Sequence, residues 1–142
     1  MSLKLRREMD SKLIEEKLVA IVEMKTELSR IGYDDKRYDD LEEELHDLED
    51  DFIEEFGDYF EGVLDTLHDQ ICPDSDVLLP TAYLPKTVKK ISETEYDIEG
   101  KEGVLVDAEA YKGKDTRLVL IPGPTRFVLL IGGKEKKEVW KA

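Results

Sequence analysis

The sequence predicts an α+β fold, with an N-terminal antiparallel helical hairpin packed on a C-terminal five-stranded antiparallel β-meander. Up to Ile71 the apolar residues recur at intervals of three and four, which is the spacing of one helix face. Beyond Pro85 the period changes to two, and short connections containing Gly or Pro predict antiparallel hairpins. We expect the 142 residues to form a single domain. It divides into the hairpin (3–71), an extended connection (72–86) and the sheet (87–141).

The first helix is predicted over residues 3–30, because its apolar residues cover about half of a helical wheel at roughly 100° per residue. Gly32 follows as a candidate C-terminal cap, and Asp34 or Asp35 can cap the start of the next helix. A link this short predicts that the two helices run antiparallel.

The second helix is predicted to end at Ile71, and its apolar stripe keeps its phase through Gly57. This favours a continuous or merely bent helix, although Gly57 and Gly62 each cost about 1 kcal/mol relative to Ala. The alternative is a break at Gly57, with Asp58 capping a new helix and Glu61 completing the capping box. The stripe comprises Tyr38, Leu41, Leu45, Leu48, Phe52, Phe56, Tyr59, Val63, Leu67 and Ile71.

The second half of the chain begins at Cys72-Pro73, and Pro80 and Pro85 exclude regular helix from the extended connection. Alternating apolar and polar residues then predict five strands. These are 87–98, 103–111, 115–121, 125–131 and 135–140.

The charge is very unevenly distributed. The formal net charge is −14, and residues 32–76 alone hold two basic and nineteen acidic side chains. Such a field repels nucleic acid and anionic membranes, so we expect neither as a partner, and it favours basic partners or cations.

The acidic face of the second helix is therefore the first candidate partner surface. It could capture a basic protein, including by imitating DNA phosphates, or bind divalent cations loosely. The alternative is a solvated face that only keeps the protein in solution. The candidate residues are Glu43, Asp47, Asp50, Asp51 and Glu54.

The odd-numbered face of the meander is the second candidate surface. If odd residues pair with odd residues, Glu95 lies near Asp107, and Arg117 lies beside Glu109. Further along, the same face becomes apolar, which predicts a homodimer through the sheet, a curled sheet that covers itself, or a docking surface. The candidate residues are Glu93, Glu95, Asp107, Glu109, Arg117, Phe127 and Leu129.

Catalytic and metal motifs are weak. Glu43 and His46 match a Glu-x-x-His spacing, but acidic residues are so frequent here that chance explains it. His68 and Cys72 share a helix face and could form an imidazole–thiolate pair, although a structural His beside a buried thiol is the simpler interpretation. We predict no catalytic residue, no metal and no cofactor.

The leading functional hypothesis is a non-catalytic, homodimeric interaction or regulatory protein. The alternative is a small enzyme or ligand-binding protein with a pocket between helices and sheet near His68, Cys72 and Tyr83. A single cysteine excludes an internal disulfide. No apolar run approaches the roughly 20 residues of a membrane span, and no hydrophobic signal core opens the sequence. We therefore expect a cytoplasmic location.

Overall fold

The computed structural model describes residues 3–142, with side chains described from Asp10 onward. Two long helices come first: α1 (Leu3–Arg30) and α2 (Tyr38–Ile71). Their antiparallel arrangement follows from two ion pairs. Arg37 lies 3.9 Å from Glu27 beside the link, and Lys17 lies 2.9 Å from Glu55 farther along. The predicted helical hairpin is confirmed.

Helix α2 passes through Gly57 and Gly62 without a break, so the continuous helix is confirmed and the alternative break at Gly57 is wrong. Its 34 residues extend about 51 Å. One face is buried at Leu45, Phe52, Phe60, Leu64 and Leu67. Most of the predicted apolar stripe is buried or half-buried, but Tyr59 is 52% exposed. Phe60 and Leu64, which were outside the predicted stripe, are buried instead, and the charged faces remain in solvent.

The connection after α2 is not extended throughout, because Pro80–Tyr83 form one turn of 3₁₀ helix. Pro80 begins this turn, where a missing backbone N–H costs little. Tyr83 and Leu84 are buried in the same apolar core as α1, α2 and one face of the sheet.

The sheet has four antiparallel strands rather than five, and each strand pairs with the next one along the chain. The last three predicted strands match closely: β4 (Thr116–Ile121), β5 (Arg126–Ile131) and β6 (Glu135–Lys141). Of the predicted strand 103–111, only β3 (Val104–Leu105) is a strand in the structure. A 3₁₀ turn follows at Glu109–Tyr111.

The predicted strand 87–98 is not part of this sheet. It folds back on itself as a two-stranded ribbon of β1 (Lys89–Lys90) and β2 (Tyr96–Asp97). Alternating polar and apolar residues cannot distinguish one strand of a sheet from a ribbon that pairs with itself, because both have a period of two. The α+β class is confirmed, and the five-stranded meander is corrected to this arrangement.

The predicted odd-numbered face is wrong in the β4–β5 hairpin. Ile121 pairs with Arg126 across the four-residue connection 122–125, so odd residues of β4 lie opposite even residues of β5. Phe127 and Leu129 consequently share a face with Leu118 and Leu120. Both lie in the core, 0% and 2% exposed, and are not surface residues.

The opposite face of the sheet is covered by residues 88–98, which we call the covering segment. Ile98 belongs to a second apolar cluster together with residues of β4 and β5, and Val88 packs against this cluster. The Tyr96 hydroxyl donates a 2.6 Å hydrogen bond to Glu23 of α1, and the Val88 N–H donates to the Thr26 hydroxyl at 3.1 Å. The apolar face expected to bind a second copy is thus buried by the chain itself. The cluster comprises Ile98, Val119, Ile121, Val128 and Leu130.

The backbone at Gly123 allows this close packing. Gly123 has φ of +72°, and a Cβ there would lie 2.7 Å from the Tyr96 ring and 2.8 Å from the Thr94 carbonyl oxygen. Only glycine adopts this conformation without strain and leaves room for the covering segment. No helix among the described residues has both the length and the apolar character needed to cross a bilayer.

Candidate functional site

The five acidic residues predicted on α2 are all exposed to solvent. They belong to a longer row of ten exposed carboxylates on one side of the helix, which we call the acidic row. At 100° per residue the row stays within an arc of about 100°, and it extends about 44 Å along the axis. Its members are Asp40, Glu43, Asp47, Asp50, Asp51, Glu54, Asp58, Glu61, Asp65 and Asp69.

The acidic row lacks compensating cations within the described part of the chain. Helix α2 contains no Lys or Arg, and no row carboxylate lies within 4.0 Å of a described basic side chain. The carboxylate of α2 that does form an ion pair, Glu55 with Lys17, points toward α1 and lies outside the row. Neighbouring row members three or four residues apart therefore repel one another.

The residues predicted to form the second surface, on the odd-numbered face of the meander, do not lie together in the structure. Glu93 and Glu95 lie exposed in the loop of the β1–β2 ribbon, whereas Asp107 follows β3 and Glu109 opens the 3₁₀ turn. The expected approach of Glu95 to Asp107 is wrong, because the strand next to Glu95 pairs with Lys89 and Lys90.

Arg117 also has a different partner from the one predicted. Its Nε donates a 3.0 Å hydrogen bond to Asp115, two residues earlier in the sequence and just before β4. Glu109 cannot reach it across the sheet, since Leu105 is the residue opposite Arg117. The Arg117 hydrogen bond lowers the pKa of Asp115, and Lys101 at 3.6 Å adds to the effect.

His68, Cys72 and Tyr83 occupy a filled region of the core. The His68 Nδ1 lies 2.9 Å from the Ser75 carbonyl oxygen, so this nitrogen carries the proton. His68 Nε2 then accepts a 2.8 Å hydrogen bond from the Tyr83 hydroxyl, whose oxygen accepts from the Leu78 N–H at 3.0 Å. Both ring nitrogens are used in holding the 72–84 connection.

This arrangement opposes the alternative hypothesis of a pocket here. Cys72 is fully buried, and burial, assisted by Asp107, raises the pKa of its thiol. A protonated thiol is a poor nucleophile, and His68 has no free nitrogen to activate it. Five clefts open on the described part of the surface, and His68, Cys72 and Tyr83 line none of these five. Among residues whose side chains are described, no group of three or more His, Cys, Asp or Glu is placed to hold a metal ion.

A basic cleft is the feature that sequence reasoning missed. It has a volume of about 520 Å³ and lies where α1, α2, the connection, the 101–103 turn and β4 meet. Lys25, Lys86, Lys101 and Arg117 line it, together with Glu49 and Glu102. These residues are far apart in the sequence, and no local motif links them, so only the folded chain brings them together.

Comparison with known proteins found no match. No protein-family model, no curated protein and no solved structure is similar to this chain.

Proposed function

We propose that this chain is a non-catalytic interaction protein whose acidic row binds a basic segment of a partner protein. The observation that carries the proposal is the absence of any Lys or Arg from a 34-residue helix whose ten exposed carboxylates on one side pair with none of the basic side chains described from Asp10 onward. A Lys- or Arg-rich segment lying along the row would replace repulsion between neighbouring carboxylates by attraction.

The charge density of the row favours a basic segment over a protein surface built for duplex DNA. Ten charges over about 44 Å give one charge per about 4.4 Å of axis, whereas duplex DNA carries one per about 1.7 Å. The row also lacks the second strand of charge that a duplex presents. A protein surface that binds duplex DNA would therefore contact fewer negative charges on the acidic row than on DNA.

The proposal is tested with a Lys-rich peptide of about 20 residues as the probe. Its affinity is measured by fluorescence anisotropy at several salt concentrations. We expect binding that weakens as salt screens the charges. The row variant combines Glu43→Gln, Asp47→Asn, Asp50→Asn, Asp51→Asn and Glu54→Gln, and we expect it to bind about tenfold or more weakly.

The matched control removes the same number of charges from elsewhere on the surface. It combines Glu93→Gln, Glu95→Gln, Asp107→Asn, Glu109→Gln and Glu138→Gln, all of which are exposed. We expect a change of about twofold or less in the control. If both variants weaken the peptide equally, net charge alone drives binding, and the acidic row has no special role.

We also propose a homodimer and a cytoplasmic location, each supported by fewer observations than the acidic row. The apolar sheet face that suggested a dimer is covered by residues 88–98, so a second copy would have to use another surface. Light scattering on the same samples, at low and high salt, measures the solution mass. The buried thiol of Cys72, the chain's single cysteine, supports a reducing compartment.

A further inference from the structure

The basic cleft departs from the charge of the molecule around it. The chain has a net charge of −14, yet four cationic side chains converge on this one concavity. Four other clefts on the described part of the surface each have at most one Lys or Arg in their lining. Cations from four separate parts of the fold meet here, so their convergence is a property of the tertiary structure.

Lys25 is the residue that makes the cleft unusual. It projects from α1 into the cleft, where burial lowers the pKa of its amine and Glu49 and Glu102 only partly oppose the shift. Of the described residues, none brings a carboxylate oxygen within 4.0 Å of its Nζ. A desolvated ammonium without a close partner is costly. A bound anion would remove that cost.

Of the carboxylates at or beside the cleft, Glu102 and Asp115 already have hydrogen-bond partners, and Glu49 has none among the described residues. Glu102, 8% exposed, accepts hydrogen bonds from the backbone N–H groups of Lys86 and Thr87 at 3.3 and 3.0 Å. Its role is to hold the 86–87 wall of the cleft. Asp115 pairs with two of the cleft cations: it orients Arg117 through Nε and Nη2, which leaves Nη1 without a described partner, and it lies 3.6 Å from Lys101.

We propose that the basic cleft binds the phosphate group of a small soluble molecule. A phosphate is compact, carries close to two negative charges and offers several acceptor oxygens, so it can contact cations from different directions. A volume of about 520 Å³ lies within the usual range for small-ligand sites and leaves room beyond the phosphate. Leu79, Ala82 and Leu84 supply an apolar wall for the rest of the molecule.

The test uses the full chain and inorganic phosphate as the probe, with amide NMR shifts recorded at constant ionic strength. We expect saturable shifts at residues 25, 86, 101 and 117, with a Kd of about 1 mM. Lys25→Met keeps the aliphatic stem and removes the charge, and we expect it to weaken phosphate binding about tenfold. Lys134→Met makes the same change at an exposed turn residue, and we expect it to leave binding unchanged.

A second variant separates binding from folding. Lys86→Gln removes an exposed cation from the cleft rim, and we expect it to weaken phosphate binding several-fold even if Lys25→Met fails to fold. Shifts that never saturate, or equal weakening in the Lys134 variant, would overturn the proposal. Succinate binding as tightly as phosphate would overturn the assignment to phosphate. None of these results depends on the acidic row, so either this proposal or the proposed function can be contradicted without affecting the other.

Discussion

Asp97 is the residue that ties the covering segment to the sheet. Its Oδ2 accepts a 3.1 Å hydrogen bond from Lys136 of β6, and Arg126 of β5 lies 3.9 Å from Oδ1. Partial burial acts to raise the pKa of Asp97. The Ile98 N–H, Lys136 and Arg126 outweigh burial and hold that pKa below its ordinary value.

Replacing Asp97 should therefore change acid stability in a defined direction. A depressed pKa contributes stability above the unfolded value of about 3.9, and this contribution is lost as pH falls through the folded value. We expect Asp97→Asn to lower the free energy of unfolding by about 1 kcal/mol at neutral pH, because both partners are partly exposed. Below about pH 4 the difference should shrink toward zero, as measured by urea unfolding across pH.

The control for this prediction is Asp76→Asn, a carboxylate that is exposed and has no described ion pair. It should leave the free energy of unfolding unchanged at every pH. A deficit in the Asp97 variant that persists unchanged at pH 3 would mean that packing, and not the charge, holds the covering segment.

Tyr96 shows a second way in which the covering segment is joined to the rest of the fold. The hydrogen bond to Glu23, with burial adding to it, raises the pKa of the Tyr96 hydroxyl to about 12. The protonated phenol is therefore favoured in the folded state. The stability it contributes is complete below the unfolded pKa near 10 and is lost as pH rises toward 12. We therefore expect acid and alkali to weaken the attachment of the covering segment through different residues, Asp97 and Tyr96 respectively.

At the scale of the element, α2 contains glycines that its helical state does not require. Gly62 is exposed, its φ lies in the ordinary helical range, and a Cβ there would meet nothing within 4 Å. Gly57 is buried, and a Cβ there would lie 3.2 Å from the Ile53 side chain. The two sites separate the intrinsic cost of glycine from the cost of crowding.

We expect Gly62→Ala to raise the free energy of unfolding by about 1 kcal/mol, because alanine loses less backbone entropy in a helix interior. Gly57→Ala should gain less, since Ile53 must move to admit the methyl group. Thermal unfolding followed by circular dichroism measures both changes. A loss of stability in Gly62→Ala would contradict a continuous helix at this position.

The sequence predicted these helices well because apolar spacing at three and four extends over many turns. In the sheet, the sequence-based predictions of side-chain faces and of strand pairing were wrong. The connection 122–125 has four residues, and this even number exchanged the faces on which Phe127 and Leu129 were expected. The two-stranded ribbon within residues 88–98 was not predicted, because its alternation of polar and apolar residues also fits a single strand.

At the scale of the whole molecule, the acidic row should make stability sensitive to salt. The five carboxylates changed in the row variant form five like-charge pairs at spacings of three or four residues, each costing about 0.2–0.5 kcal/mol at low salt. Neutralising all five should raise the free energy of unfolding by about 1–2.5 kcal/mol at low ionic strength. Near 1 M salt, where the Debye length is about 3 Å, the gain should largely disappear.

The same control variant used for the peptide experiment, with five carboxylates neutralised outside α2, should gain less because those residues are dispersed. Urea unfolding at two salt concentrations compares the three proteins. A gain that is independent of salt would point to helix propensity or local packing instead of charge repulsion.

The two candidate sites differ in how far sequence could predict them. The acidic row is local, since all ten carboxylates follow one helical period, and the five residues predicted from the sequence are exposed as expected. The basic cleft is non-local, because Lys25 and Arg117 are separated by most of the chain. Sequence period can predict which residues share a helix face, and it carries no information on which distant lysines will meet.

The lack of cations in α2 also affects how other enzymes can act on the chain. From Tyr38 to Pro85 there is no Lys or Arg at all. A protease that cleaves after these residues would release residues 38–86 as one peptide, with α2 and the His68–Tyr83 hydrogen bond inside it. Modifications that require a lysine amine, such as acetylation or ubiquitin attachment, are likewise restricted to α1, the link before α2 and the C-terminal half. The longest helix of the molecule is thus chemically unavailable to lysine-directed signalling.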